Sequence, residues 1–146
     1  MHIYEWREPH FRPVNTFYKQ QGHTGKANGT DRVWVIEDQG ELLGAVRLVP
    51  MEGHYWLRSL QIAAHQQRKG LGLQLLAEIN RTVPNNIYCF PYAHLHGFYT
   101  HAGYSHLSAD NCPENIRLLY ARYGKTPQKT LLMARVSASA EPALLG

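Results

Sequence analysis

The chain has 146 residues, the length of one ordinary domain, so residues 1–146 are read as a single fold around one core. Hydrophobic residues make up 44% and charged residues 18%, as in an ordinary soluble protein, and no apolar run approaches membrane-spanning length, so no membrane partner is expected. The excess of 15 Lys and Arg over 11 Asp and Glu is mild and unclustered. It suits a phosphate-bearing small ligand and, without a basic stripe or tail, speaks against nucleic acid.

The opening MHIYEWREPHFRP is too polar for a secretory signal. With Cys89 and Cys112 in no regular framework, two reduced thiols in a cytoplasmic protein are expected. HIYEW reads as a short edge strand, and Phe11, Val14, Phe17 and Tyr18 then recur at helical spacing before Gly22. HTGKANGTD is a polar loop and not a Walker loop: Gln20 stands where the first glycine belongs, and Ala27 follows Lys26. Residues 33–36 and 42–49 form a hairpin about Asp38, Gln39 and Gly40, and YWLRSLQIA is a third strand of the meander.

HQQRKGLGLQLL follows directly. Its helix carries Gly72, Leu75, Leu76 and Ile79 on one face, with Gln74, Glu78 and Arg81 outside. Backbone N–H groups at a helix start lack internal partners and make an anion site, and glycine lets a phosphate approach them. Gln67 can add an amide donor, with Arg68 and Lys69 as charges at the rim. The competing reading is a helix start whose glycines allow close packing on the preceding strand. A dinucleotide fingerprint fails, because Leu75 occupies the third small position. Residues 87–90 then read as a short strand and 93–102 as a helix closed by Gly103.

Asn111, Pro113 and Glu114 have the form of a helix start with a reciprocal cap. Ile116, Leu119, Tyr120 and Tyr123 give that helix an apolar stripe, Gly124 ends it, and TLLMARV is a final strand. Residues from about 137 to 146 read as a loosely held tail. The order is that of an α/β or α+β protein with helices covering a sheet. Cys89, His94, His96, His101 and His106 cluster in sequence without a tight zinc pattern, so no metal is expected.

The succession of strand, Gln67-x-x-Gly70-x-Gly72, leucine-rich helix, short strand and Phe98-Tyr99-x-x-x-Gly103-Tyr104 resembles the GNAT superfamily of acetyl-CoA-dependent N-acetyltransferases. The resemblance is good over residues 32–107 and looser at both ends. It implies a mixed, mostly antiparallel central sheet flanked by helices; the extra helix from about Pro113 to Tyr123 before the last strand is a departure, since many members run straight into a final hairpin there. It also implies acetyl transfer from acetyl-CoA to a primary amine of a small molecule or peptide, by direct attack in a ternary complex. By the same resemblance the bulged strand at Leu60, Gln61 and Ile62 holds the pantetheine arm and thioester. Gln67, Arg68, Lys69, Gly70, Leu71 and Gly72 then hold the pyrophosphate, and Tyr99 protonates the departing thiolate.

The chain departs from the family at Trp56, where some members carry a glutamate base, and at Ala64, where proline is frequent. His54, Glu52 or a water chain are the substitutes considered for the base. His54, Trp56, Arg58, Phe90 and Tyr92 are the candidates for the acceptor side, with a surface salt bridge as the plainer role for Arg58. The missing glutamate gives weight to a non-catalytic acyl-CoA-binding sensor or interaction module of the same fold. A homodimer is left open.

Overall fold

The computed structural model describes residues 1–124 and 129–137. The chain opens with β1 (His2–Glu5) and helix α1 (Arg12–Gln20), then runs through β2 (Arg32–Asp38), β3 (Glu41–Pro50) and β4 (Tyr55–Ile62). Helix α2 (Leu71–Thr82) leads to β5 (Ile87–Cys89). Then come α3 (His96–His101), β6 (Ser105–His106), α4 (Glu114–Tyr123) and β7 (Met133–Arg135). The strands form a seven-stranded sheet in the order β1-β2-β3-β4-β5-β7-β6. β4 and β5 pair in parallel at Tyr55↔Ile87 and Trp56↔Tyr88, as a helical crossover between two strands requires. β1 with β2, β2 with β3, β5 with β7 and β6 with β7 are antiparallel. This is the mixed, mostly antiparallel α/β fold expected, with α4 placed before the last strand.

Contacts group the chain into two compact units, Met1–Pro50 with Leu57–Val83, and Met51–Trp56 with the chain from Pro84 onward. In the first, β2 turns into β3 through Gln39 and Gly40, both left-handed at φ 51° and 81°. That is the two-residue reversal whose twist suits paired strands. α1 buries Val14, Phe17 and Tyr18 with Val33, Val35 and Ala45. α2 buries Leu75, Leu76 and Ile79 of the face read from the sequence, with Leu71 rather than Gly72 as the fourth buried residue. Each such side chain contributes roughly 1.5–3 kcal/mol relative to an exposed one. In the second unit Ile87, Tyr88, Cys89, Ile116, Leu132 and Met133 are buried.

Four local expectations are corrected. The helix expected over 93–102 begins as a 3-10 turn, Ala93–Leu95, and becomes α-helical only from His96. Gly97 at its start and the lack of a side-chain cap leave the first turn weakly held. Asn111 does not cap α4. It closes a separate 3-10 turn with its amide on Ser108 Oγ, because Pro113 is extended (ψ 149°) and prevents helical continuation from Cys112. The stripe of α4 is buried fully only at Ile116, while Tyr123 is 42% exposed. Ser137, assigned to the loose tail, is buried and its N–H donates to Asn86 Oδ1 at 2.7 Å; residues 138–146 lie outside the described residues. Among the described residues no helix is long and apolar enough to cross a membrane.

β1 is fastened to β2 by an ion pair at its end. Arg32 Nε and Nη2 each donate to a different oxygen of Glu5 at 2.9 Å. The guanidinium holds the Glu5 carboxyl below its ordinary value of 4.5. A lowered folded-state pKa stabilises the fold above the unfolded value, and that contribution is lost as pH falls through the folded one. Glu5→Gln is therefore expected to flatten the acid limb of the stability curve below pH 4.5, as measured by urea unfolding across a pH series.

Candidate active site

β4 begins as a regular strand and is interrupted at Ser59, whose φ is 61°. A non-glycine residue in the left-handed region is uncommon, and here it re-aims the backbone as a bulge does. The next three residues, Leu60, Gln61 and Ile62, are only half-buried. Leu60 and Ile62 are therefore not fully enclosed core residues. Beyond them Ala63 N–H rejoins Leu43 O at 2.8 Å. The strand segment assigned to the thioester thus lies between a left-handed residue and the Ala63 N–H bond to Leu43 O.

The glycine turn follows a 3-10 turn, Ala64–Gln66. Arg68 (φ 67°) and Gly70 (φ 78°) are both left-handed, and Gly70 is the residue from which α2 starts, with no side-chain cap. The first N–H groups of α2, on Leu71, Gly72 and Leu73, are those that a helix leaves without internal partners. A Cβ on Gly70 would meet no atom within 4 Å. Close packing therefore does not account for this glycine; its backbone conformation does, and the space beside it is open. Arg68 and Lys69 are exposed at the rim, with Lys69 Nζ 3.3 Å from Gln66 Oε1. Gln67 differs from expectation: its amide donates to Ile62 O at 3.1 Å, so it ties the turn to the end of β4. The buried side chain of Leu71 belongs to the core, which leaves only its main chain for a ligand.

The same unit holds a polar cluster that sequence reading missed. Arg47, 5% exposed in the middle of β3, pairs with Asp31 Oδ2 at 3.0 Å and donates through Nε to Ser59 Oγ at 3.1 Å. Its Nη1 also donates to Lys26 O. His23 Nε2 lies 2.9 Å from the same serine oxygen. Burial first, then the charges of Arg47 and Arg58, hold the His23 imidazole below its ordinary value of 6.5. The available signal was a lone arginine inside the apolar run LLGAVRLV, since a charge in a buried strand has to be paired.

In the second unit Tyr99 is 6% exposed, with its ring edge-on to Phe98 at 5.1 Å and to Tyr104 at 5.6 Å. Burial, and secondarily Cys89, raises its phenol far above the usual range, so the hydroxyl stays protonated. The spacing Tyr99-x-x-x-Gly103-Tyr104 has a local cause. Gly103 ends α3 at φ 98°, and Tyr104 N–H bonds back to Tyr99 O at 2.9 Å, the glycine-closed helix end in which flanking side chains also touch.

The acceptor-side candidates of this unit are largely engaged. His54 Nε2 donates to Asn115 Oδ1 at 2.8 Å and its ring is edge-on to Tyr88. Trp56 is 6% exposed and packs on Phe90 and Tyr123, while Phe90 also meets Tyr120. Tyr92 is 42% exposed and stacks on His94. α4 supplies Asn115, Tyr120 and Tyr123 to these contacts. Cys89 is buried and Cys112 half-buried, both free. His94, His96, His101 and His106 are exposed, and among the described residues no group of three or more such side chains is placed to hold a metal.

A bulged strand running into an uncapped, glycine-turned helix start is an anion-binding arrangement of main-chain donors. Residues 29–124, well over half of the chain, match the acetyltransferase (GNAT) domain; the chain belongs to that family. An N-acetylglutamate synthase from Neisseria gonorrhoeae, complexed with coenzyme A and N-acetyl-glutamate, superposes with a TM-score of 0.68 at 17% identity. The match covers 92% of this chain and 35% of that one, so this chain spans about a third of the synthase's length. An aminoglycoside 6'-N-acetyltransferase complexed with coenzyme A gives 0.67 at 15% identity, covering 92% and 96%. Escherichia coli ElaA gives 0.64 at 14%, covering 92% and 99%. A search of curated protein sequences finds no match.

Two stability outcomes follow from this geometry. Gly70→Ala is expected to cost about 1–2 kcal/mol through its backbone conformation alone, and Gly70→Asn less, since asparagine tolerates that region. Asp31→Ala, which strands the Arg47 guanidinium, is expected to cost about 3–5 kcal/mol. Urea unfolding of the variants measures both.

Proposed function

We propose that the chain transfers an acetyl group from acetyl-CoA to a primary amine of a small molecule or peptide, by direct attack in a ternary complex. The observation that carries this reading is the left-handed Ser59, followed eleven residues on by the left-handed Gly70 at the uncapped start of α2, in a chain of the GNAT family. The freed main chain of Leu60, Gln61 and Ile62 is assigned to the pantetheine arm and to the thioester oxygen. A backbone N–H aimed at that oxygen stabilises the tetrahedral intermediate. The turn from Gln67 to Gly72 is assigned to the pyrophosphate, with the N–H groups of α2 as donors and Arg68 and Lys69 as charges. Gln67 contributes by holding the turn to Ile62 O.

Tyr99 is assigned to the departing thiolate. Burial keeps the phenol protonated and also makes it a weaker acid; it acts as a hydrogen-bond donor to the sulfur, giving up its proton only as negative charge builds there while the C–S bond breaks. No metal is needed for any step. Of the acceptor-side candidates, Arg58 and Tyr92 remain assigned to contact the acceptor. His54, Trp56 and Phe90 shape that side through their contacts with α4. Coenzyme A bound to two solved relatives supports the choice of donor.

Acetyl-CoA at millimolar concentration is expected to raise the melting temperature. A panel of amines should then release free thiol from it, and Tyr99→Phe should lower kcat roughly a hundredfold with the KM for acetyl-CoA little changed. Binding without thiol release from any amine would make the chain an acyl-CoA sensor. An unmoved melting temperature would remove coenzyme A from the account.

A further inference from the structure

The ring of His23, on the loop after α1, lies 5.1 Å from that of Tyr18 and is half-buried. Its Nε2 is 2.9 Å from Ser59 Oγ, and its Nδ1 is 3.5 Å from the Gln61 carboxamide. Arg47 Nε is 3.1 Å from the same serine oxygen. An arginine N–H can only donate, so Ser59 Oγ accepts from Arg47 and its own hydrogen is left for His23 Nε2. In the neutral Nδ1–H tautomer the imidazole accepts that hydrogen at Nε2. The group at Nδ1 is the Gln61 carboxamide, whose nitrogen stands 3.5 Å away and whose oxygen takes that place, as the acceptor the Nδ1–H needs, after a half-turn. On its far side His23 helps to wall a cavity of about 680 Å³ that Arg12, Lys19 and Lys26 also line. Ser59 immediately precedes the stretch assigned to the thioester. The pair therefore stands in series between that stretch and the cavity.

We propose that Ser59 and His23 form the path by which the proton of the attacking amine leaves the reaction centre, in place of the glutamate absent at Trp56. This rests on the acyl-transfer reading. The amine nitrogen forms its bond to the thioester carbon and gives a proton to Ser59 Oγ; Ser59 gives its own to His23 Nε2, making an imidazolium. The C–S bond breaks, and the thiolate takes a proton from Tyr99. His23 then returns its extra proton to water in the cavity and Tyr99 regains one from solvent, so the balance closes with no further reactant.

Charge around the ring favours passing the proton on. Arg47 from β3 and Arg58 from β4 oppose an imidazolium, while Asp31 is engaged with Arg47. Tyr18, facing the ring from α1, stays neutral because burial raises its phenol. The histidine is accordingly a neutral acceptor at neutral pH and does not retain what it accepts. At low pH it is already protonated and blocked, so turnover falls as pH drops through its lowered value.

The test uses the full chain with saturating acetyl-CoA and the best amine of the panel. His23→Ala is expected to lower kcat about a hundredfold, to lose the acidic limb of the pH profile, and to recover with free imidazole, which the adjoining cavity admits. Ser59→Gly, which keeps the left-handed backbone, should show the same loss without imidazole recovery. Both should retain the rise in melting temperature with acetyl-CoA, which marks an intact fold and donor site. A His23→Ala enzyme within about threefold of wild type would sink the path alone. So would one whose loss came with an unchanged pH profile and no imidazole response. A wild type that released thiol with no amine would instead overturn the acyl-transfer reading, and the path with it.

Discussion

A guanidinium buried in the middle of a strand has no water to fall back on, so every donor it carries must be met by protein. Arg47 is met by Asp31, by the carbonyl of Lys26 and by Ser59 Oγ. Those partners come from the loop after α1 and from the interrupted part of β4, and binding them fixes both relative to β3. Removing one partner would leave the charge uncompensated, which is why such clusters hold their geometry tightly. The left-handed Ser59 is one consequence. Its backbone is unfavourable in isolation, and two hydrogen bonds to its hydroxyl help to keep it. The left-handed turn of β4 that precedes Leu60, Gln61 and Ile62 thus rests on a buried charge in the neighbouring strand β3.

Helices α1 and α2 and the meander were legible because their apolar residues recur at periods that burial imposes. Val14, Phe17 and Tyr18, or Leu75, Leu76 and Ile79, leave little choice of face. Gly70 was legible for a related reason: a backbone conformation with few permitted residues marks itself. The two-residue β6 was not, since Ser105 and His106 are exposed and become a strand only by pairing with β7. The cap expected at Asn111 failed because Pro113 adopts a conformation that the residue pattern does not determine. The His23–Ser59 contact joins residues thirty-six positions apart, and nothing local to either announces it. Long-range polar pairing is the part of a site that periodicity does not encode.

The extra helix α4 changes what the sequence-derived candidates do. His54 and Trp56 were singled out for their place before the glycine turn, on the strand that carries a glutamate in some relatives. Here the first is held by Asn115 and the second is enclosed by Tyr123 and Phe90. Aromatic contacts of this kind contribute beyond their buried area, so α4 is fastened to its own unit through His54, Trp56 and Phe90. In the first unit, a serine and a histidine stand hydrogen-bonded beside the left-handed turn of β4.

The hydrogen bond from Tyr104 N–H to Tyr99 O bears on how the family signature is read. The glycine and the second aromatic residue of that signature are accounted for by the way α3 ends, before any substrate is considered. Natural selection for foldability alone would keep them. A descendant that had lost turnover would still show the glycine and Tyr104, and only the hydroxyl of Tyr99 would be released to drift. Under the role proposed for Tyr99, the difference to look for between a working and a silent relative is tyrosine against phenylalanine at that one position, set against a background that stays constant for reasons of architecture.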